Sequence, residues 1–201
     1  MIFVGLTGSI ASGKSEVAKL FAAEGIPVFD SDAVVHGLYA EDATVNLISG
    51  AFPDVIVDGK IDRTRLGKRV LGSPENLKRL ESLVHPLVRK ERDEFTIYWE
   101  KQNCPIVILD IPLLFETGAD RELDYVIVVF ANEDVRRARA MNRLGMTAEK
   151  YAQILARQMP DAEKRRRADF VIENSGSMED LRSQVNTLRK KLAELAGKQK
   201  P

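Results

Sequence analysis

Residues Gly8 to Ser15 read Gly-Ser-Ile-Ala-Ser-Gly-Lys-Ser and fill the pattern G-x-x-x-x-G-K-[ST] of a phosphate-binding loop. Backbone N–H groups in such a loop, together with the N-terminus of the helix that follows, favour a polyphosphate. Lys14 reaches the β- and γ-phosphates in this pattern, and the Ser15 hydroxyl serves Mg²⁺. Asp30-Ser-Asp32 carries two acids one residue apart. Such acids act either as helix caps and turn formers or, beside a phosphate loop, as the group that orients an attacking hydroxyl and accepts its proton. Asp32 is assigned as that base, with Asp30 orienting it or contacting a metal-bound water. Ile106-Val-Ile-Leu-Asp110 has the apolar-strand-plus-Asp form of a Walker B element, whose Asp holds Mg²⁺, often through water. Glu116, in the following Pro112-Leu-Leu-Phe-Glu116, is either an ordinary surface residue or a substrate-side acid.

Cations cluster twice. Arg136, Arg137, Arg139 and Arg143 load one expected helix, and Arg139 and Arg143, four apart, share a face of it. Such a run is either a solvated face or, over a phosphate loop, a set of arginines that stabilise the transition-state charge. Lys164-Arg-Arg-Arg167 reads as surface or flap, because no aromatic residues interleave for base stacking. His85 has only His36 for company and no metal-ligand spacing, so zinc is not expected.

These residues need elements to place them. Five short apolar runs, Ile2–Leu6, Pro27–Phe29, Ile106–Leu109, Tyr125–Phe130 and Phe170–Ile172, read as strands of a parallel sheet buried on both faces. Helical segments between them make an alternating α/β pattern. Ligands of such sheets sit at the carboxyl ends of strands, where the loop, Asp30, Asp32, Asp110 and Glu116 all fall. The stretch from Ala33 to Gln102 is too long for one crossover, with turns at Asp58-Gly59 and Gly72-Ser-Pro74. It reads as a largely helical substrate-side insertion sharing the core of the sheet. In the second excursion, Asn132 is expected to cap a helix ending just before Gly145, and Thr147 to cap the next. Ser177 and Asp180 start a last helix whose Met178, Leu181, Val185, Leu188, Leu192 and Leu195 pack back on the sheet. A polar tail after Ala196 is expected to fray.

Composition narrows the class. The 201 residues are 44% hydrophobic and 30% charged, with Lys plus Arg equal to Asp plus Glu, so no net field draws nucleic acid or membrane. Cys104 is the one cysteine, which excludes an internal disulfide and suits a reducing, cytoplasmic setting. No apolar stretch approaches the roughly 20 residues of a membrane span, and no secretion signal is read at the N-terminus. The loop by itself suits a small-molecule kinase of several kinds or a nucleotide-sensing switch.

Taken in order, several segments together resemble the dephospho-coenzyme A kinase family over nearly the whole chain. They are Gly5 through Ser15, Asp30-Ser-Asp32, Asp58-Gly-Lys-Ile-Asp-Arg63 with Leu66, and His85-Pro86 with Arg89. Pro112 through Glu116, Arg139 with Arg143, Gln158-Met-Pro160 and Ala168 through Asn174 complete the series. The resemblance implies an α/β P-loop fold of three layers, with a five-stranded parallel sheet, a helical acceptor-binding insertion and a helical lid. It implies one domain over 1–201, with a core at 1–32, 103–131 and 168–196, the insertion at about 33–102 and the lid at about 132–167. The implied reaction uses ATP and Mg²⁺ to phosphorylate the ribose 3′-hydroxyl of dephospho-coenzyme A. The nucleotide-binding set is then Gly8, Ala11, Ser12, Gly13, Lys14, Ser15 and Glu16, with Asn174 near the adenine. Ser15 and Asp110 are the metal residues, and Asp32, Lys14, Arg139 and Arg143 the catalytic ones. Asp32, Arg63, His85, Arg89 and Glu116 face the acceptor. The family loop more often has glycine where this chain has Ser9 and Ala11, which is harmless provided neither needs positive φ.

Overall fold

The computed structural model describes residues 1–198. The five apolar runs form strands β1 (Ile2–Gly8), β2 (Val28–Asp30), β5 (Ile106–Asp110), β6 (Tyr125–Phe130) and β7 (Phe170–Glu173). A short hairpin of β3 (Ile56–Val57) and β4 (Lys60–Ile61) stands apart from them. The large sheet is parallel, in the order β2-β5-β1-β6-β7. β1 is therefore central, and the chain leaves it toward one side and later returns to build the other. The crevice at its carboxyl end is a topological switch point, where ligands of open α/β sheets bind.

Residues alternate between two buried faces, as strands require. Ile2, Val4 and Leu6 of β1 join Ile127 and Val129 of β6 on one face. Helix α1 (Lys14–Ala23) covers that face with Val17 and Phe21, and helix α9 (Met178–Lys198) covers it with Leu181, Val185, Leu188 and Leu192. On the other face Val126 and Val128 meet Leu114 and Phe115. Gly5 points there too, where a Cβ would lie 2.4 Å from Leu123 and 2.5 Å from Leu114. The last helix packs on the sheet as its periodicity predicts. It begins with a reciprocal cap: Ser177 Oγ accepts from the Asp180 N–H and donates to the Asp180 carboxylate. The expected fraying does not start at Ala196, since α9 runs through Lys198. The rest of that tail lies outside the described residues.

The chain forms two compact units, Asp30–Tyr98 and the remainder. The first holds α2 (Ser31–Leu38), α3 (Asp42–Ala51), the β3–β4 hairpin, α4 (Arg63–Leu71) and most of α5 (Pro74–Lys101). Asp58 and Gly59 take φ of 48° and 74° at the hairpin, the left-handed pair that an Asp-Gly turn supplies. Expected from sequence to share the sheet's core, this unit instead buries a cluster of its own. Ile48, Phe52, Val55, Leu66, Val70, Leu80 and Val84 form it, from three helices and the turn between them.

The second excursion comprises α6 (Glu133–Met141), α7 (Ala148–Leu155) and α8 (Asp161–Arg167). Thr147 caps α7 as expected, its hydroxyl accepting from the Lys150 N–H. Asn132 precedes α6 but makes no side-chain cap bond. Helix α6 also stops short of the predicted end. The Arg143 N–H bonds back three residues to the Ala140 carbonyl at 3.0 Å, which tightens the last turn and ends the helix before Arg143. Among the described residues no helix is long and apolar enough to cross a membrane.

Candidate active site

The phosphate loop leaves β1 at Gly8, where a Cβ would fall 2.5 Å from Ser12 Oγ and 2.6 Å from the Val129 carbonyl. Gly13 has φ 95°, and a Cβ there would lie 1.9 Å from Asn174 Nδ2, so glycine is required twice over. The buried Asn174 donates that amide to the Ser12 carbonyl at 2.8 Å. Its nitrogen is therefore committed to the shape of the loop. Ala11 does not meet the condition set on it: it sits at φ 60°, in the left-handed region. For a residue with a Cβ this conformation costs about 1–2 kcal/mol. The loop geometry calls for it whichever residue occupies the position.

Lys14 opens α1 and forms an ion pair with Asp110, the last residue of β5, whose side chain is 2% exposed. Ser15 follows on the exposed side of the first turn, and Glu16 is half-buried. The loop thus gathers an ammonium, a carboxylate and a hydroxyl at the carboxyl ends of β1 and β5.

The cations of the second excursion separate into two kinds. Arg139 has a buried Nη1 with no hydrogen-bond partner, 3.7 Å from where a Cβ on Gly13 would stand. Arg143 is exposed beyond the end of α6, so the shared helical face expected of the two is not formed. Arg136, by contrast, is buried, with Nε donating to the Ala131 carbonyl at 3.0 Å and Nη2 to Asp161 at 2.5 Å. Lys164 is buried as well, against the surface reading of its run, and pairs with Glu116 at 3.1 Å. Because α8 packs against β6, part of its basic run has to face inward. The neighbouring arginines stay outside, Arg165 over the Phe130 ring and Arg167 over the Phe115 ring. Glu116 is accordingly no free surface acid. Its Oε1 also accepts from the Met159 N–H at 2.6 Å.

In the helical unit the expected acceptor-side residues Asp32, Arg63, His85 and Arg89 are all exposed. Asp30 caps α2, accepting from the Ala33 N–H at 2.9 Å, which leaves Asp32 in the first turn. Asp62 caps α4 in the same way and sets Arg63 at its first position. His85 and Arg89 stand one turn apart on α5, so they share a face. Burial pushes the Tyr39 hydroxyl above its ordinary pKa, and the positive charge of Arg63 pulls the other way, so these two side chains are within electrostatic reach.

Four contacts at the loop escaped the sequence reading: Ser9 with Asp161, Ile10 with Gln158, Ser12 with Asn174, and Arg136 with Asp161. Asp161 follows Pro160 at a helix start and reads as an ordinary first-turn acid. Nothing local links it to a serine 152 positions earlier.

A family model for dephospho-CoA kinase matches residues 2–180. The dephospho-CoA kinase of Agrobacterium fabrum is 51% identical over 192 residues, covering 96% of this chain and 98% of its own. That of Brucella melitensis is 51% identical over 185 residues, 92% of each chain. Among solved structures, TT1252 from Thermus thermophilus superposes with a TM-score of 0.84 at 41% identity, covering 96% of this chain and 97% of its own. Dephospho-CoA kinase from Campylobacter jejuni does so at 0.71 and 28% identity, with the same coverage. With the loop, its paired lysine and its neighbouring arginine all carried on a chain that these relatives match nearly end to end, this protein belongs to the dephospho-CoA kinase family.

Proposed function

We propose that this chain transfers the γ-phosphoryl group of ATP to the ribose 3′-hydroxyl of dephospho-CoA, giving CoA and ADP in the last step of CoA biosynthesis. The observation that carries the reading is Arg139 Nη1, buried beside Gly13 with no hydrogen-bond partner. A desolvated guanidinium nitrogen left unpaired is costly unless an anion completes it. A phosphate is the anion that the adjoining loop amides and helix N-terminus favour.

Each residue then has a part. Gly8, Ala11, Ser12, Gly13 and Glu16 belong to the loop and first turn that cradle the triphosphate, and Asn174 fixes the loop's shape from beneath. Lys14 serves the β- and γ-phosphates. Ser15 and Asp110 would hold Mg²⁺, both offering the hard oxygen donors that the ion takes, with one oxygen of Asp110 already paired to Lys14. When bound, Mg²⁺ neutralises charge on the phosphate oxygens. Asp32 accepts the proton of the attacking hydroxyl as its oxygen bonds to the γ-phosphorus, with ADP leaving in line. Arg139 and Arg143 stabilise the charge of the transition state from the lid. Arg63, His85 and Arg89 bind the acceptor. Glu116 is kept as an acceptor-side acid: Lys164 and the Met159 N–H hold its Oε1, while Oε2 is buried with no hydrogen-bond partner. The reading requires no nucleic acid or membrane, and the free Cys104 supports a reducing, cytoplasmic location.

A coupled ADP-release assay with dephospho-CoA, nucleoside monophosphates and shikimate in parallel tests the reading. ADP formation that depends on dephospho-CoA, with CoA as the second product, is the expected result. Faster turnover with another acceptor, or ADP release indifferent to any acceptor, would overturn it.

A further inference from the structure

The phosphate loop is tied at its start to a segment of chain about 150 residues away. The Ser9 hydroxyl donates to Asp161 Oδ1 at 2.5 Å, and the Ile10 N–H donates to Gln158 Oε1 at 2.9 Å. Asp161 is itself fixed from behind, because its other oxygen accepts from Arg136 Nη2 at 2.5 Å. Arg136 is 3% exposed and anchored to the Ala131 carbonyl, so it cannot follow a moving carboxylate into solvent. Gln158 is held through its neighbour, whose N–H bonds to Glu116. The two tethered residues immediately precede Ala11, which keeps φ 60° although it has a Cβ. A residue stays in such a conformation only where its surroundings over-determine it. On the far side of Ala11, Asn174 holds the Ser12 carbonyl, and above it Tyr151 and Ala140 pack against the methyl group.

We propose that Gln158 and Asp161 are positioning residues that hold the phosphate loop in its anion-binding conformation, Gln158 through the Ile10 amide and Asp161 through the Ser9 hydroxyl. The inference rests on reading the loop as the ATP site and deepens that reading. Neither residue need touch the nucleotide. Each acts by keeping the first half of the loop from relaxing Ala11 out of the left-handed region, which would turn the loop amides away from the phosphates. Arg136 belongs to the same device one step back, holding Asp161 through Nη2. Residues 158 and 161 fall in the stretch that the sequence assigns to the lid, so the loop's shape and the lid's root are set by the same bonds.

The signature is selective for one substrate. In the full-length enzyme, Asp161→Ala and Gln158→Ala should each raise KM for ATP about tenfold, and Ser9→Ala about threefold, the scale of a lost hydrogen bond. KM for dephospho-CoA should stay within about twofold. Ser9→Ala combined with Asp161→Ala should be no worse than Asp161→Ala alone, since both remove the same bond. ADP affinity by calorimetry should fall in parallel. Multiplicative losses in the double variant, equal losses for both substrates, or unchanged ATP kinetics and ADP affinity in the single variants would each overturn the proposal. Should Asp161→Ala fail to fold, Ser9→Ala and Gln158→Ala each remove one neutral partner and decide the matter by themselves. Failure of the wild-type enzyme to make CoA would sink the assigned reaction instead, and ADP calorimetry on the same variants would still judge the tether.

Discussion

Around the phosphate loop Ser9, Ala11, Ser12, Asp110 and Asn174 are all buried. Ser9, Asp110 and Asn174 each bond to a partner far away in sequence. In the helical unit Asp32, Arg63, His85 and Arg89 are all exposed, set on helices of which α2 and α4 are capped by Asp30 and Asp62. The contrast follows the work each region is assigned. Charge developing on a transferring phosphoryl group is best met by donors already fixed in place, because reorganising them during reaction costs free energy. A region that recognises an incoming organic acceptor can keep its polar groups in water until the acceptor arrives. On the proposed assignment, burial around the loop serves preorganisation and exposure on the helical unit serves recognition.

Three measurements would break or sharpen that contrast, and a fourth supplies a reference outside it. The largest effect belongs to the exposed side. Asp32→Asn should lower kcat about a thousandfold while leaving KM for ATP within about twofold, because it removes the proton acceptor and no nucleotide contact. Near-normal turnover in steady-state kinetics would take the base away from the helical unit. Next comes the buried support of the loop. Lys164→Ala leaves Glu116 half-buried without its counter-charge and should reduce unfolding free energy by about 3 kcal/mol in urea titration. Arg89→Ala, on an exposed face, should change it by less than about 0.5 kcal/mol. Similar losses in the two would erase the distinction. Third, Gly13→Ala drives a Cβ into the Asn174 amide at a positive φ, and should cost about 2 kcal/mol of stability along with most of the ADP affinity seen by calorimetry. A variant that binds ADP normally would show the loop to be less rigid than its burial implies.

The smallest effect lies away from both regions. Hydrogen bonds from the Ser177 hydroxyl, then from its backbone, hold the Asp180 carboxyl below its ordinary pKa. A depressed carboxylate contributes stability that is complete above its unfolded value of 3.8 and is lost as pH falls through the folded one. Asp180→Asn should therefore flatten the loss of stability between about pH 5 and pH 2, read from urea midpoints at each pH. An unchanged pH slope would show that the fully exposed cap makes no measurable difference.

What could be read in advance was local. The loop announces itself because glycine, lysine and serine at fixed spacing need only the strand before and the helix after. The strands were legible from continuous β-branched runs, β6 to the residue and the others within one or two, and Thr147 and Ser177 from capping chemistry confined to a single turn. The early end of α6 was missed because a three-residue back-bond from Arg143 competes with Gly145 as the stop signal, and composition does not rank them. The φ of Ala11 is not legible for a different reason: it is imposed by the loop, while the residue type argues against it.

The sequence by itself determined the chemistry available and the elements that carry it, since amide cradles, strand runs and caps depend on neighbours within a few positions. Only the tertiary structure decided which of several like-charged side chains do which work. Arg136 holds Asp161 and Lys164 holds Glu116, while Arg139 Nη1 lies beside Gly13, and the difference between them is who lies opposite once the chain has packed. Pairs such as Lys14 with Asp110 or Asn174 with Ser12 join residues 96 and 162 positions apart. Their free energy comes from desolvation and hydrogen bonding that exist only in the folded core, so no local pattern in the chain can encode them.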